Sequence, residues 1–142
     1  MRYLALRQAG QEGRALYPDG AAPRARVERW LDWTLSTLQP AERDLFWGMV
    51  RTPPEARDMD RIGAAAQASA AAWRIVDAQL AQGRGFVEGD GLSLADIVLG
   101  TYARRWFGVE VDGRPELAHL RAWYDRLGER PGFVRHVAPP LS

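Results

Sequence analysis

The chain has 142 residues, enough for one domain that buries roughly two-thirds of the surface exposed by its unfolded form. It contains no cysteine, which excludes disulfides, thiolate nucleophiles and cysteine-ligated metal sites. Its formal net charge of +1 at pH 7 is too small to favour nucleic acid or a membrane surface as a partner. No segment approaches the apolar length of a membrane helix, and the N-terminus lacks a signal-peptide pattern, so we expect a cytoplasmic protein.

The first predicted elements are two helices separated by a turn. Residues 1–10, MRYLALRQAG, are typical of a helix but begin without a capping residue. Gly10 and Gly13 are expected to end this helix, and residues 18–20 predict a turn. Residues 23–39 then predict a helix, because apolar side chains recur at three- and four-residue spacing. Its core-facing residues are expected to be Val27, Trp30, Leu31, Leu35 and Leu38.

A broken segment and a long helix are predicted next. Residues 40–54 begin with one helix breaker, Pro40, and run into a second, the tetrapeptide TPPE at 52–55, with a short apolar helical piece between them. A long helix is expected from Glu55 to about Gln82, where Gly83 ends it. Its predicted buried residues are Met59, Ile62, Ala66, Ala70, Trp73, Val76 and Leu80.

The stretch GDGLSLADIVLG places an aspartate, Asp96, inside an apolar run, where an unpaired carboxylate costs several kcal/mol. Asp96 lies three residues after Ser93, the spacing of an N-capping box, in which each side chain accepts the other's backbone N–H. We therefore predict that Ser93 and Asp96 have a structural role at the start of a helix from residue 93 to about 106. A catalytic carboxylate in an apolar pocket is the alternative. Because this helix is apolar nearly all round, we expect it in the middle of a bundle.

The sequence of the C-terminal part predicts two more helices. It gives no indication of a metal site. Pro115 is expected to open one helix, which Gly128 ends, and Pro131 is expected to open a final short one. No segment shows the sustained alternation of a strand, so the predicted fold class is all-α. His119 and His136 have no carboxylate or cysteine at ligand spacing, so we expect no bound metal.

Six stretches follow one another in an order that resembles bacterial cytosolic glutathione S-transferases. They are RYLA, LYP, RARVERWLDW, LFWGMVRTPPEARD, GDGLSLADI and RPELAHLRAWYDRLGERPGF. They match only the second half of that family, an all-helical bundle that shapes the site for an electrophilic co-substrate. The resemblance implies such a C-terminal helical domain over residues 11–142, with residues 1–10 as the remnant of the last helix of a thioredoxin-like domain. That absent domain binds glutathione and supplies the catalytic Tyr, Ser or Cys, so we expect no catalytic residue and no activity in this chain alone.

The resemblance also implies a set of substrate-binding residues. Asp32 and Thr37 match positions from which related bacterial enzymes reach the glutathione of the neighbouring subunit, although some relatives have Glu in place of Thr37. Trp33 and Gln39 would line the co-substrate side. The alternative is that Asp32 and Thr37 are solvated residues and that Trp33 belongs to the core. Arg104 is a further candidate for substrate contact, against a role at the C-terminal dipole of its helix.

Two functions are compatible with this resemblance. The first is the co-substrate-binding half of a glutathione S-transferase, which conjugates glutathione to a small electrophile when joined to its thioredoxin-like half. The second is a non-catalytic helical module for protein–protein interaction. The expected partners are glutathione, the electrophile and a second copy of the chain in a homodimer. A misassigned gene start would account for the missing half, and the in-frame DNA upstream would then encode a thioredoxin-like domain.

Overall fold

The chain folds as a bundle of helices in the computed structural model, which describes residues 1–7 and 16–141. The α-helices of these ranges are α1 (Arg2–Arg7), α2 (Ala21–Trp33), α3 (Gln39–Phe46), α4 (Met59–Leu80), α5 (Leu94–Gly108), α6 (Ala118–Gly128) and α7 (Pro131–His136). The same ranges contain no β-strand, which confirms the predicted all-α fold class. The helix end predicted at Gly10 and Gly13, and the domain boundary predicted after residue 10, lie outside the described residues.

Helices α2 and α3 form one continuous rod, because a π-helical turn over Thr34–Leu38 joins them. The prediction that Pro40 breaks the chain after residue 39 is wrong, since Pro40 lies in the first turn of α3, where a missing N–H is tolerated. A π-helical turn also contains about one more residue than an α-helical turn, so it changes which side chains of the helix face the core. As a result Thr34 is fully buried, whereas Leu35, predicted to face the core, is 61% exposed.

Helix α4 begins later than the sequence predicts. A second π-helical turn, Trp47–Arg51, and a short 3-10 helix, Pro54–Ala56, precede it. Its N-cap is Asp58, whose Oδ1 accepts a hydrogen bond of 3.0 Å from the Arg61 N–H. Met59, predicted to be buried, is 59% exposed because it occupies the first position of the shorter helix. The other residues predicted to be buried in this helix are buried at Ile62, Ala70, Trp73, Val76 and Leu80 and partly buried at Ala66.

Helix α5 lies in the middle of the bundle, as predicted, and packs against α2, α3 and α6. Helix α6 begins at Ala118, three residues after the predicted start at Pro115. Its first turn is capped from another element, because the Leu120 N–H donates to Asp77 Oδ1 of α4 at 2.8 Å. Helix α7 begins at Pro131, as the sequence predicts.

Within the described parts of the chain, no helix is long and apolar enough to cross a membrane. In those same parts, no three histidine, cysteine or acidic side chains gather into a group that could hold a metal ion.

Candidate functional site

The buried carboxylate of Asp96 is fully enclosed and accepts four hydrogen bonds. Oδ2 accepts from the Ser93 N–H at 2.9 Å and from the Ser93 hydroxyl at 2.8 Å. Oδ1 accepts from the Val87 N–H and from the Trp123 Nε1–H, both at 2.9 Å. These bonds join the segment before α5, the first turn of α5 and helix α6. A carboxylate with four donors is satisfied by the protein itself, which supports a structural role.

Four of the five predicted substrate-binding residues lie on the rod formed by α2, the first π-turn and α3. They are Asp32, Trp33, Thr37 and Gln39. Asp32 is exposed, and its Oδ1 lies 2.5 Å from Arg2 Nη2, so an ion pair joins α1 to α2. Trp33 is half-buried and meets Trp30 edge-to-face, with 5.4 Å between ring centroids. Thr37 and Gln39 are both exposed. The structure therefore places all four side chains on one element, within about two helical turns.

This part of the rod offers binding groups rather than reactive ones. The Asp32 carboxylate can accept a hydrogen bond from an ammonium group, and the Thr37 hydroxyl can donate or accept one. The Trp33 ring and the exposed Leu35 side chain supply apolar surface. Residues 21–51 include no cysteine and no histidine. The rod can therefore position a ligand with polar and apolar parts, but it contributes neither a thiolate nor an imidazole base.

Arg104 is engaged elsewhere. Its Nε donates to the Ala138 carbonyl at 3.2 Å, and its Nη2 donates to the Pro139 carbonyl at 2.9 Å. Across the described ranges, no hydrogen bond or ion pair links Arg104 to Asp32 or Thr37. The guanidinium thus fastens the C-terminal segment to α5, a role that its position near the end of the helix did not reveal.

Glu42 of α3 is a buried acid that the sequence analysis missed. The residue is only 2% exposed, and its Oε1 accepts a hydrogen bond of 2.7 Å from Trp73 Nε1 of α4. Burial raises the pKa of Glu42 to about 8, and the Trp73 hydrogen bond and the Arg105 charge only partly oppose this rise. The sequence spacing could have indicated this burial, because Glu42 lies four residues after the buried Leu38 and therefore on the same face of the helix as Leu38.

A cleft of about 640 Å³ is a second feature that the sequence analysis missed. We call it the Trp106 cleft. Its walls come from α3, the second π-turn, α4, the end of α5 and residues 110–115. Its lining residues include Leu45, Met49, Ile62, Ala66, Ala70, Arg74, Trp106, Glu110, Asp112 and Arg114. None of the five predicted substrate residues lines it.

Comparisons with known proteins agree with this architecture. The family pattern described as "Glutathione S-transferase, C-terminal domain" matches residues 40–126. The chain is similar to Glutathione S-transferase GstB of Escherichia coli K12, with 38% identity over 142 residues. That alignment covers all of this chain and 66% of the Escherichia coli protein. The chain thus spans slightly less than two-thirds of the length of this curated relative.

Two solved structures of one bacterial protein are also similar to the chain. They are of the theta class glutathione S-transferase from the citrus canker pathogen Xanthomonas axonopodis pv. citri. The apo form is 45% identical, with a TM-score of 0.90 over 99% of this chain and 72% of that chain. The form with glutathione bound is 45% identical, with a TM-score of 0.89 over 99% of this chain and 71% of that chain.

Proposed function

Because the chain belongs to the glutathione S-transferase family through its C-terminal domain, we propose that it forms the helical, co-substrate-binding half of such an enzyme. The observation that carries the proposal is the similarity along 99% of the chain to a transferase structure that holds glutathione. In this proposal residues 11–142 are the helical domain, and residues 1–10 close a preceding thioredoxin-like domain.

The proposed reaction is attack by the glutathione thiolate on an electrophilic carbon. With an aryl chloride as the substrate, a carbon–sulfur bond forms, the carbon–chlorine bond breaks and chloride leaves. The chain described here would contribute by positioning both reactants and excluding water from them, since its rod carries binding groups only. The thiolate would be stabilised by the thioredoxin-like half.

Within this reaction we assign Asp32 and Thr37 to glutathione and Trp33 and Gln39 to the electrophile. Asp32 is exposed and can accept a hydrogen bond from the γ-glutamyl ammonium group, which would replace Arg2 as its partner. Trp33 is half-buried against Trp30, so its ring is held in place and can form one wall for an aromatic ring. Arg104 is excluded from this assignment, because its guanidinium is already bonded to the C-terminal segment.

The proposal can be tested in a chimera. The N-terminal part of the Xanthomonas axonopodis protein that lies outside the matched region is joined to the full 142-residue chain, and conjugation of glutathione to 1-chloro-2,4-dinitrobenzene is measured. We expect Asp32→Asn to raise the KM for glutathione about tenfold, because the amide oxygen lacks the negative charge that strengthens the hydrogen bond from the ammonium group. Trp33→Leu is expected to raise the KM for the aryl chloride instead.

Two matched controls make this test specific. Asp90→Asn removes an exposed carboxylate from a loop and is expected to leave both KM values unchanged. Arg2→Gln breaks the same ion pair as Asp32→Asn but keeps the Asp32 carboxylate, so it should not raise the KM for glutathione. Equal KM values in Asp32→Asn and Asp90→Asn would exclude Asp32 from glutathione binding.

A homodimer is the proposed assembly. Tyr3, Leu6 and Leu35 expose large apolar surface on α1 and on the rod. The ion pair between Arg2 and Asp32 holds α1 beside the rod, next to the half-buried Trp33. Exposed apolar side chains of this size are typical of a surface that another domain or another protein chain covers. A cytoplasmic location stays a prediction from the sequence.

A further inference from the structure

A mainly apolar groove of about 840 Å³ is lined by the loop before α5, the first turn of α5, the end of α6 and helix α7. We call it the Phe133 groove. Its apolar side chains are Phe86, Leu92, Ile97, Leu127, Phe133 and Val137. All of them except Leu127 are partly exposed, so a molecule in the groove can touch them. The volume lies within the range usual for small-molecule sites.

The wall on α5 is fixed by the start of that helix. Leu92 precedes the N-cap Ser93, and Ile97 is the fourth residue of the helix, the two positions of a hydrophobic staple. Both side chains pack against the core, yet part of each stays exposed. The hydrogen bonds between Ser93 and Asp96 hold this turn in place. The wall is therefore formed before any ligand binds.

The Phe133 ring of α7 is held by two other helices. A Cβ atom at Gly100 of α5 would lie 3.0 Å from Phe133 Cε2, so the ring packs directly on the backbone of α5. The ring also meets Tyr124 of α6 edge-to-face, with 5.7 Å between ring centroids. Because these contacts already order the ring, a ligand that packs on it does not have to.

The Phe86 wall is held by hydrogen bonds and carries a charge beside it. The Phe86 N–H donates to the Gly89 carbonyl at 3.2 Å. Arg126 Nη1 of α6 donates to the Gly85 carbonyl at 2.6 Å, and its guanidinium carbon lies 6.0 Å from the centre of the Phe86 ring. A positive charge is thus kept next to an apolar wall of the groove.

The charged side chains of the groove are exposed, and their net charge is positive. Arg126 and Arg130 contribute two guanidinium groups and Glu129 one carboxylate, so the sum stays positive even when His136 is neutral. In the part of the chain that the structure describes, no acid forms an ion pair with either arginine. An inorganic ion would leave the apolar walls uncovered, and a cation would meet repulsion. The complementary ligand is an anion with an apolar body.

We propose that the Phe133 groove binds a linear alkyl carboxylate of medium chain length. The chain packs against Phe86, Ile97 and Phe133, and the carboxylate lies beside Arg126 and Arg130. A flexible alkyl chain can follow walls that three separate elements contribute, whereas a single flat ring covers less of them. The site uses none of the residues assigned to glutathione or to the electrophile, so this proposal and the proposed transferase function fail independently.

The test is a titration of the ¹⁵N-labelled 142-residue chain with octanoate, followed through its backbone amide resonances. We expect saturable shifts that centre on Phe86, Ile97, Gly132 and Phe133. Acetate keeps the carboxylate but lacks the chain, so it is expected to bind at least about tenfold more weakly. Octan-1-ol keeps the chain without the charge and is expected to bind about threefold more weakly. Octylammonium carries the opposite charge and is expected to bind about tenfold more weakly.

The variant Gly132→Leu tests where the ligand binds. Gly132 lines the groove, and among the described residues a Cβ atom there meets nothing beyond its own helical turn within 4 Å. A larger side chain is therefore accommodated and takes up space at the groove, so we expect octanoate to bind about tenfold more weakly. The matched control, Gly63→Leu, has the same freedom on α4 but lines the Trp106 cleft instead, and it should leave the affinity unchanged.

The variant Arg130→Gln tests the charge. It is expected to weaken octanoate binding about threefold and to leave octan-1-ol binding unchanged. Arg135→Gln changes another exposed arginine, outside the groove lining, and should alter neither affinity. Octanoate shifts that do not saturate, or that centre on another surface, would overturn the proposal, as would equal affinity for octanoate and octylammonium. Because the probes are compared on the unmodified chain, the test does not depend on whether a variant folds.

Discussion

At the scale of single residues, the two buried acids of the described ranges differ in the number of hydrogen bonds that they accept. Glu42 and Asp96 are both buried, but Asp96 accepts four hydrogen bonds whereas Glu42 accepts one, from Trp73. Glu42 Oε2 has no partner within the described ranges, so a proton on this oxygen neutralises the group at low cost. The same burial therefore produces a satisfied carboxylate at one site and a carboxylic acid of raised pKa at the other.

The raised pKa of Glu42 predicts a pH dependence of stability. Its pKa is about 8 in the folded chain against a usual value of 4.5, so the folded state holds the proton more tightly than the unfolded state. The contribution of this group to stability is full below about pH 4.5, falls as the pH rises and is lost above about pH 8. Glu42→Gln cannot ionise. Between pH 6 and pH 8, we expect the native chain to lose roughly 2 kcal/mol more than this variant in urea-unfolding experiments.

The control for this prediction is Glu55→Gln, which removes an exposed acid from the 3-10 helix. It should retain the pH dependence of the native chain. Parallel stability curves for the native chain and Glu42→Gln would show that Glu42 is ionised in the folded state at neutral pH and would contradict the prediction.

At the scale of elements, acidic side chains hold the helices together by hydrogen bonds across the bundle. Asp77 of α4 caps the first turn of α6, and Glu88 accepts hydrogen bonds of 2.6 Å from both Arg29 and Trp30 of α2. Asp96 joins α5, α6 and the loop before α5. Asp77 and Asp96 accept from backbone N–H groups at helix starts, whereas Glu88 accepts from side chains of α2. Hydrogen bonds as well as apolar packing therefore hold these elements together.

Removing the Asp96 carboxylate should therefore cost more than the loss of a single helix cap. Asp96→Ala leaves the Val87 N–H, the Ser93 N–H and the Trp123 Nε1–H without their acceptor in the core. We expect a loss of about 3 kcal/mol in the free energy of unfolding, measured by urea denaturation. Asp90→Ala, in the exposed part of the preceding loop, should change it by less than about 0.5 kcal/mol. A loss of the same size in both variants would mean that the buried hydrogen bonds add nothing to stability.

Several of these features could be read from the sequence because they are local. The spacing of Ser93 and Asp96 predicted the start of α5, and the apolar period predicted most of the buried face of α4. The π-turn at Thr34–Leu38 could not be predicted, because no residue type demands it, and its phase shift misplaced Leu35. The Trp123 bond to Asp96 joins residues 27 positions apart in the chain, so local spacing could not predict it. The Trp106 cleft is lined by residues from several separate parts of the chain, so only the folded arrangement reveals it.

At the scale of the whole molecule, the exposed apolar side chains of α1 and the rod predict self-association. The 142-residue chain should sediment as a dimer or larger species at high concentration in analytical ultracentrifugation. Leu6→Glu combined with Leu35→Glu should shift the equilibrium towards the monomer, since a charge at each position opposes apolar contact. The matched control, Ile75→Glu, changes an exposed apolar residue of α4 and should leave the distribution unchanged. A native chain that stays monomeric at all concentrations would contradict this prediction.

Turnover by the chimera tests most directly whether this chain is the helical half of a glutathione S-transferase. The rate of glutathione conjugation to 1-chloro-2,4-dinitrobenzene is measured for the chimera, for the 142-residue chain alone and for the added N-terminal part alone. We predict that the chimera conjugates glutathione well above the uncatalysed rate, whereas neither part does so alone. A chimera that folds and binds glutathione but shows only the uncatalysed rate would contradict the claim and favour the non-catalytic interaction module.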